Sequence, residues 1–371
     1  MWISYVGILV NAAMHKGIPQ RRTGQESITN YEEAARSFGL IPCFMRLQDI
    51  HLESGQCLAY VLNNNEYARI RLPIPRIIHN RALYFDKNSR HKIELMLGQG
   101  YRIFNAYNRY GKDEIHHVLC SDTQIAPHLP ETINATSLSI KEMMRRYDDM
   151  IIKPCAGSVG KGLMRLRYKG SSWTLKFSRS GRAHDWHTLR LRRQQLPVIL
   201  LRRMRSVPFI VQERINLAEY NKRPFDLRVS VQRGINGQWD ITGMFAKVAA
   251  SNAFVSNVAQ GGSVFPVNVV LPSSLPNIPT GRIVADVREL SMRIVMKLER
   301  HLPMVADFGL DIGITSLGKP YFIECNGRDQ RYGFHKAGMY ETWKDSYRQP
   351  MAYARYLHNS QDYIDRVVNT L

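Results

Sequence analysis

MVADFGLDIGITSLGKPYFIECNG, residues 304–327, reads as two short β-strands joined by a tight turn. Val305, Phe308, Leu310, Ile312 and Ile314 mark the first strand, and Tyr321, Phe322 and Ile323 begin the second. Gly318, within Ser316-Leu317-Gly318-Lys319, supplies the turn residue. A strand has a side-chain period of two, so Glu324 and Asn326 share one face. A turn centred on Leu317-Gly318 pairs Asp311 with Glu324 across the hairpin. Like charges directly opposite are destabilising, unless a hard cation sits between them. Two carboxylates and an amide oxygen suit Mg²⁺, which takes oxygen ligands and reaches proteins through one or two carboxylates plus substrate phosphates. The alternative is an exposed hairpin with ordinary solvated acids, and the hairpin alone does not choose.

The remaining chain narrows the choice. Its 371 residues can bury a large core and suggest two or three domains. A hydrophobic fraction of 44% with 22% charged residues is ordinary for a globular protein. The balance of 51 Lys+Arg against 31 Asp+Glu, a net +20, is not ordinary and points to an anionic partner. Aromatic residues are not gathered into an RNA-binding signature and no zinc-finger spacing occurs, so nucleic acid is not the expected partner. The five cysteines are scattered, odd in number and free of any CxxC pair, which argues against a disulfide framework or a zinc site and for a reducing compartment. The apolar run near the start is short and lacks a preceding basic region, so it reads as a first strand, and no run approaches the ~20 residues of a membrane span. A cytoplasmic location is expected.

In chain order, residues 1–80 read as a small α/β unit. A strand over 5–10 is followed by a helix with Tyr31, Ala34, Ala35 and Phe38 on its inner side, and then by a strand over 40–47. Thr29-x-x-Glu32 has capping-box form, and Gly39 stands where a C-terminal cap belongs. Leu72-Pro73-Ile74-Pro75 is stiff and is expected to lead towards the next domain. Lys112 opens a helix through Ile115, Val118 and Leu119; the adjacent His116 and His117 point in different directions and read as surface residues. A second helix is expected over 139–147.

A strand ending in Lys153-Pro154 runs into Cys155-Ala156-Gly157-Ser158-Val159-Gly160-Lys161-Gly162. Three glycines within six residues let backbone N–H groups approach a phosphate closely. The spacing is not that of a Walker A loop, a kinase loop or a dinucleotide fingerprint, and a glycine-rich hairpin without function is the plainer alternative. Cys155 reads as a small packing residue. Residues 165–205 are heavily basic, either as a solvated sheet edge, the plainer reading, or as an electrostatic funnel for an anionic substrate.

The segment 207–215 is a strand with a polar end, Gln212-Glu213-Arg214-Ile215. Residues 226–233 alternate strictly: Leu227, Val229 and Val231 face one way, and Asp226, Arg228, Ser230 and Gln232 the other. A further strand over 239–249 includes Lys247, and Asn257 lies in a polar loop ending in glycine. The proline-rich stretch 266–279 reads as surface loop. An amphipathic helix is expected over 281–301 and a helical tail over 341–365, with Pro350 in its first turn.

The order of these pieces resembles the ATP-grasp superfamily and, more closely, its YheC/YheD endospore coat-associated family. The pieces are a lysine, a strand lysine with a glycine loop, a VQE strand, a D-x-R strand, an Asn loop and a D…E-x-N hairpin. VGILVN at 6–11, LPIPRIIHNR at 72–81 and YARYL at 353–357 are similar as well. The resemblance implies an α/β (α+β) ATP-grasp fold. An N-terminal pre-ATP-grasp unit would cover 1–80 and the ATP-grasp domain 81–371, with the glycine-loop lid over about 135–215 and the metal-binding part over 216–371.

It also implies roles. Lys112 and Lys153 would bind the nucleotide, with nearby Lys87, Lys92 and Lys141 competing for the place of Lys112. Gly157, Ser158, Gly160, Lys161 and Gly162 would cover the phosphates. Gln212, Glu213, Arg214 and Ile215 would read adenine, with Glu219 at the ribose. Arg228 would neutralise the γ-phosphate or an acyl phosphate, and Asn257 would close over the phosphates. Asp311, Glu324 and Asn326 would be the metal ligands, with Cys325 pointing to the opposite face. The implied cofactors are ATP and Mg²⁺, with Mn²⁺ as an allowed substitute.

The implied activity is carboxylate–amine ligation through an acyl phosphate. The substrates would be amino acids, other small molecules or peptides of anionic character; spore association and a homodimer are compatible with the resemblance. The rivals are a kinase on an anionic acceptor and a spore-layer structural protein that keeps a nucleotide site.

Overall fold

The apolar run before Asn11 enters as the central strand of the first of three sheets. The computed structural model describes residues 4–157, 161–178, 185–191, 195–251, 256, 258 and 261–368. The first sheet holds β1 (Ser4–Leu9), β2 (Leu40–His51), β3 (Gln56–Asn63), β4 (Glu66–Pro73), β5 (Ile77–Asn80) and β6 (Arg102–Phe104) in the order β4-β3-β2-β1-β5-β6. β1 pairs parallel with β2 and with β5, as the strand–helix–strand order requires. The prolines at 73 and 75 join β4 to β5 within this sheet instead of leading out of it, and the sheet continues to Phe104. α1 (Ala12–Gly17), α2 (Ile28–Ser37) and α3 (Lys87–Gly98) accompany it.

α2 is capped differently from expectation. Ser27, two residues before Thr29, is the N-cap, and its side chain accepts from Asn30 N. Glu32 is therefore free of a capping role. It lies buried, and burial pushes its carboxyl up to about 7.

α4 (Lys112–Cys120) and α5 (Ser137–Arg146) lead to the second sheet: β7 (Thr132–Asn134), β8 (Asp149–Pro154), β9 (Met164–Lys169), β10 (Ser172–Ser178), β11 (Trp186–Arg190) and β12 (Phe209–Glu213), in the order β11-β10-β9-β8-β12-β7. α5 and α6 (Val198–Ser206) cover one face, where Ile140, Met143, Leu200, Met150, Ile152, Leu175 and Phe177 form a separate apolar cluster.

The third sheet contains β13 (Glu219–Tyr220), β14 (Arg223–Arg233), β15 (Trp239–Val248), β16 (Ser263–Pro266), β17 (Asp307–Ile314) and β18 (Pro320–Asn326), with β17 and β15 flanking β14. The largest core packs its apolar face, Leu227, Val229, Val231, Leu310 and Ile312, under Ile283, Val287, Leu290, Ile294 and Leu298 of α8 (Thr280–Glu299). The stretch 266–279 is not all loop. Val267, Val270 and Leu271 are buried at i, i+3, i+4 spacing and form α7 (Val267–Ser274), a stripe that the surrounding prolines mask in the sequence.

After α9 (Tyr332–Lys336), α10 (Tyr340–Val368) starts ten residues before Pro350, so the proline is interior, not in the first turn. Proline removes the N–H that would bond the carbonyl four residues back. That carbonyl, Ser346 O, accepts instead from Gln232 Nε2 of β14 at 2.9 Å. The helix thus gives up one internal bond and gains a tie to the central strand of the third sheet.

Candidate functional site

The hairpin that opened the reading is β17–β18, and its register is set by a bulge. Ile314 pairs with Pro320 and Ile312 with Phe322, then the pairing shifts by one so that Asp311 faces Glu324 and Gly309 faces Asn326. The turn is therefore tighter than one centred on Leu317-Gly318, and the extra residue, Ile323, restores the Asp311–Glu324 pair. The carbonyl of Ile323 accepts from Lys153 Nζ at 3.4 Å. Cys325 packs against the apolar cluster under the sheet, and burial pushes its thiol up to about 12.

Asp311 and Glu324 stand in one wall of a cavity of about 210 Å³ between the second and third sheets. Lys112, Lys153, Gly157, Lys161, Gln212, Glu213, Arg214, Ile215, Arg228 and Asn326 line the same cavity. Gly162 lies beside it with φ +77°, and a Cβ there would meet Pro154 Cγ at 2.8 Å, so glycine is required at that turn. Glu219 is exposed on the two-residue strand β13 and does not line the cavity. Ser158, Gly160 and Asn257 lie outside the described residues.

The side chains interlock. Lys153 donates to Gln212 Oε1 at 2.9 Å, and Gln212 Nε2 donates to Thr132 Oγ1 at 2.7 Å. Burial holds the Lys153 ammonium at about 8; the pull of Glu324 in the other direction does not offset it. Lys112, at the start of α4, donates to Gly157 O at 3.0 Å and pairs with Glu324 at 3.4 Å. The N–H groups of Glu213 and Arg214 are engaged with Glu131 O and Asp149 O.

The polar face of β14 is buried, not solvated: Asp226, Arg228, Ser230 and Gln232 are each less than a tenth exposed. Arg228 Nε donates to Asp311 Oδ1 at 2.7 Å, and Arg228 Nη1 to Asp329 Oδ1 at 3.1 Å. Lys247 Nζ sits 2.9 Å from both Asp226 Oδ1 and Asp311 Oδ2. Burial works against the ionised Asp311, but Arg228 and Lys247 outweigh it and hold the carboxyl at about 2. Burial likewise opposes the charge on Lys247, and its two carboxylates raise it above the ordinary value.

Three participants have no role in the sequence reading: Lys247 and Asp226, which it names only as strand residues, and Asp329, which it does not name. Asp226 was visible as a member of the polar face. The pairing of Lys247 with it was not, because a bulge at Ser230/Val231 is what brings the two opposite each other. Asp329, fully buried, also accepts from Ser230 Oγ, and its backbone carbonyl accepts from Arg81 Nη2 at 2.7 Å; Arg81 in turn donates to Glu26. The first sheet is thereby tied to the rear of the site.

The cavity wall has six cationic side chains (Lys112, Lys153, Lys161, Arg214, Arg228, Lys247) against four carboxylates (Glu213, Asp226, Asp311, Glu324), an excess that suits a polyanion. The oxygen donors also fit a hard dication. Among the described residues Glu324 makes one ion pair, with Lys112, and its side chain is 32% exposed. Asn326 turns its amide nitrogen to Gly309 O at 3.4 Å, leaving the amide oxygen. Asp311 already accepts from a cation on each oxygen, so Glu324 is the more open carboxylate. No cluster of three or more His, Cys, Asp or Glu with metal-site geometry occurs among the described residues, so such a dication would depend on the amide and on a ligand's own oxygens.

A family model described as YheC/D like ATP-grasp matches residues 100–357. Endospore coat-associated protein YheD of Bacillus subtilis (strain 168) is 23% identical over 331 residues, which cover 85% of this chain and 70% of that protein. Among solved structures, D-cycloserine synthetase DcsG superposes with a TM-score of 0.55 at 9% identity, covering 94% of this chain and 100% of that one. D-alanyl-alanine synthetase A from Vibrio cholerae O1 biovar eltor str. N16961 gives 0.51 at 14% identity, over 94% and 99%. The fold is shared with both. Among the described residues no helix is long and apolar enough to cross a membrane.

Proposed function

Because the chain belongs to the YheC/D-like ATP-grasp family, we propose that it is an ATP-dependent ligase joining a carboxylate to an amine, with release of ADP and phosphate. The observation that carries this reading is the convergence of Lys112, Lys153, Arg228 and Lys247 on one cavity with Asp311, Glu324 and Asn326. Two family-fold neighbours are named as synthetases, one of D-alanyl-alanine, and that supports amino acid or peptide substrates.

In this reading residues 1–80, continued by α3 and β6 to Phe104, are an N-terminal unit, about 135–215 the lid and 216–371 the floor. Lys153 and Lys112 hold phosphate oxygens, with 157–162 covering them and 212–215 lining the adenine end; Glu219 and Asn257 are assigned to the ribose and to loop closure. Glu324 and Asn326, with Asp311, would hold Mg²⁺, which when bound neutralises phosphate charge. A substrate carboxylate oxygen attacks the γ-phosphorus and ADP leaves. The amine then attacks the acyl carbon, phosphate departs and the amine loses a proton.

Such steps need positioning and charge neutralisation more than covalent help. Arg228, locked by Asp311 and Asp329, presents a guanidinium of fixed orientation to the transferring phosphoryl group. Lys247 adds a second cation beside it. Five free cysteines are consistent with a cytoplasmic setting, and the name of the YheD relative with a role in sporulating cells.

The test is a screen of carboxylate and amine pairs for ADP release, with mass spectrometry of the products. An amide product supports the ligase. A stable phosphorylated acceptor would assign a kinase instead, and nucleotide binding without turnover on any pair would assign a scaffolding role.

A further inference from the structure

We infer that Asn105, at the edge of the first sheet, is a positioning residue for the metal-binding face of the β17–β18 hairpin. Its side-chain amide holds the backbone beside Asn326 and so sets the affinity of that face for Mg²⁺. The inference rests on the ligase reading and deepens its metal assignment, adding a residue that lies outside the cavity wall.

The pairing of β17 with β18 stops at Gly309 opposite Asn326. Beyond that point Asn105 joins the two strands. Its Nδ2 donates to Asp307 O and to Gly327 O, each at 2.7 Å, and its Oδ1 accepts from Ala306 N at 3.0 Å. Its own backbone N–H donates to Met304 O at 2.7 Å. One side chain thus clamps the entry of β17 to the exit of β18. A primary amide offers two donor hydrogens and an acceptor oxygen, and all three functions are spent on main chain here. Asn105 is buried, so removing its amide leaves main-chain groups without a partner.

The clamp is itself fixed from the first sheet. Asn105 follows β6 directly and has φ +54°, a conformation that asparagine adopts more readily than most residues. Asn80 Nδ2 donates to the carbonyls of Asn105 and Ala106 at 3.1 and 3.0 Å, and Asn108 Nδ2 donates to Ala82 O at 2.7 Å. Gly327 completes the fit. A Cβ there would meet Asn108 Cα at 2.8 Å and Tyr110 Cε2 at 2.9 Å, so the segment after Asn105 lies directly on the backbone of residue 327.

Asn326 immediately precedes this clamped residue. Its amide nitrogen reaches Gly309 O at 3.4 Å, a bond too long to orient the side chain by itself. The main chain must therefore hold Asn326, and Gly327 O is where the main chain is held. The same segment runs on to Lys112, whose Nζ lies 3.4 Å from Glu324. Residues 105–112 thus reach β18 beside Asn326 at one end and at Glu324 at the other. Groups that orient metal ligands from behind typically change metal affinity by about 10–100-fold when removed.

The test uses the full chain with ADP as probe, its affinity measured by calorimetry in Mg²⁺ and again in EDTA. The ratio of the two affinities reports on the metal, and a loss of stability alone does not move it. Native protein should bind MgADP more tightly than metal-free ADP. Asn105→Gly removes the amide and accepts the positive φ without strain; it should shrink the ratio about tenfold or more. Its metal-free ADP affinity should stay within about twofold of native. Asn105→Asp keeps the shape but presents a carboxylate to the two carbonyls, should lose the ratio likewise, and carries the test if the glycine variant does not fold. Asp86→Ala, which removes the N-cap of α3 away from the cavity wall, should lower the urea midpoint and leave the ratio intact. A folded Asn105 variant with the native ratio overturns the positioning role. So does an equal loss of affinity in Mg²⁺ and in EDTA. Native protein that binds ADP equally in both conditions also overturns it and leaves the nucleotide site standing. Native protein that binds ADP in neither removes the ligase reading and this role together.

Discussion

Gly309→Ala is the most demanding test of how Arg228 is held. Gly309 lies in β17 opposite Asn326, and a Cβ there would meet Asp329 Oδ1 at 2.3 Å, Asp329 Cγ at 2.9 Å and Arg228 Cδ at 3.2 Å. The nearest atom belongs to a short side chain that is fully buried and bound to Arg228 and Ser230, while its backbone carbonyl is bound to Arg81. It has no flexible end with which to yield. Restoring ordinary contact requires the carboxylate to retreat by about 1 Å, enough to lose one partner. Overpacking costs about 1–3 kcal/mol, and breaking a buried pair from one side about 3–5 kcal/mol.

Partial relaxation makes a net loss of about 2–4 kcal/mol the expectation, read as a lowered urea midpoint. Because Arg228 moves with Asp329, the affinity advantage of a non-hydrolysable ATP analogue over ADP should shrink as well. The control is Asp329→Ala. In that background the carboxylate clash is gone and the 3.2 Å approach to Arg228 Cδ is the tight contact that remains, so Gly309→Ala should cost about 1 kcal/mol or less, giving a strongly non-additive cycle. An equal cost in both backgrounds, or a native-like Gly309→Ala protein, refutes the reasoning.

The two carboxylates of the hairpin should behave differently. Glu324→Gln is expected to remove ATP turnover with little change in melting temperature, since Glu324 is a third exposed and opposes one lysine. Asp311→Asn leaves Arg228 and Lys247 under-compensated and should lower stability by about 3 kcal/mol or more by chemical denaturation. Lys153, held at about 8, should make nucleotide affinity flat below that pH and weaker above it, and Lys153→Arg should abolish the break in the titration. The same shift sets a stability sign. From about pH 8 up to the ordinary lysine value the unfolded chain keeps a proton that the folded chain lacks, so this residue's contribution rises with pH across that window. Pro350→Ala restores a donor that competes with Gln232 Nε2 for Ser346 O. It should be tolerated in stability to within about 1 kcal/mol, with amide exchange locating the new bond.

Much of the fold follows from local signals. Period-two alternation in β14 and β17 and helical spacing in α8 each depend on neighbours a few residues apart, so they survive in the sequence. The lysine at the end of β8 and the D…E-x-N hairpin were readable for the same reason. What the sequence could not display is what one inserted residue does to a register. The bulge at Ile323 secures the Asp311–Glu324 pair, and the bulge at Ser230/Val231 brings Lys247 opposite Asp226. A shift of one residue exchanges the two faces of a strand, and nothing local announces it. Nor could the sequence say that the polar face of β14 is buried, because that depends on β8 and Asp329 arriving from distant parts of the chain. The residue types around the site were thus set locally. Their pairing, and with it the charge state of Lys153 and Asp311, was decided only when three sheets met and excluded water from between them.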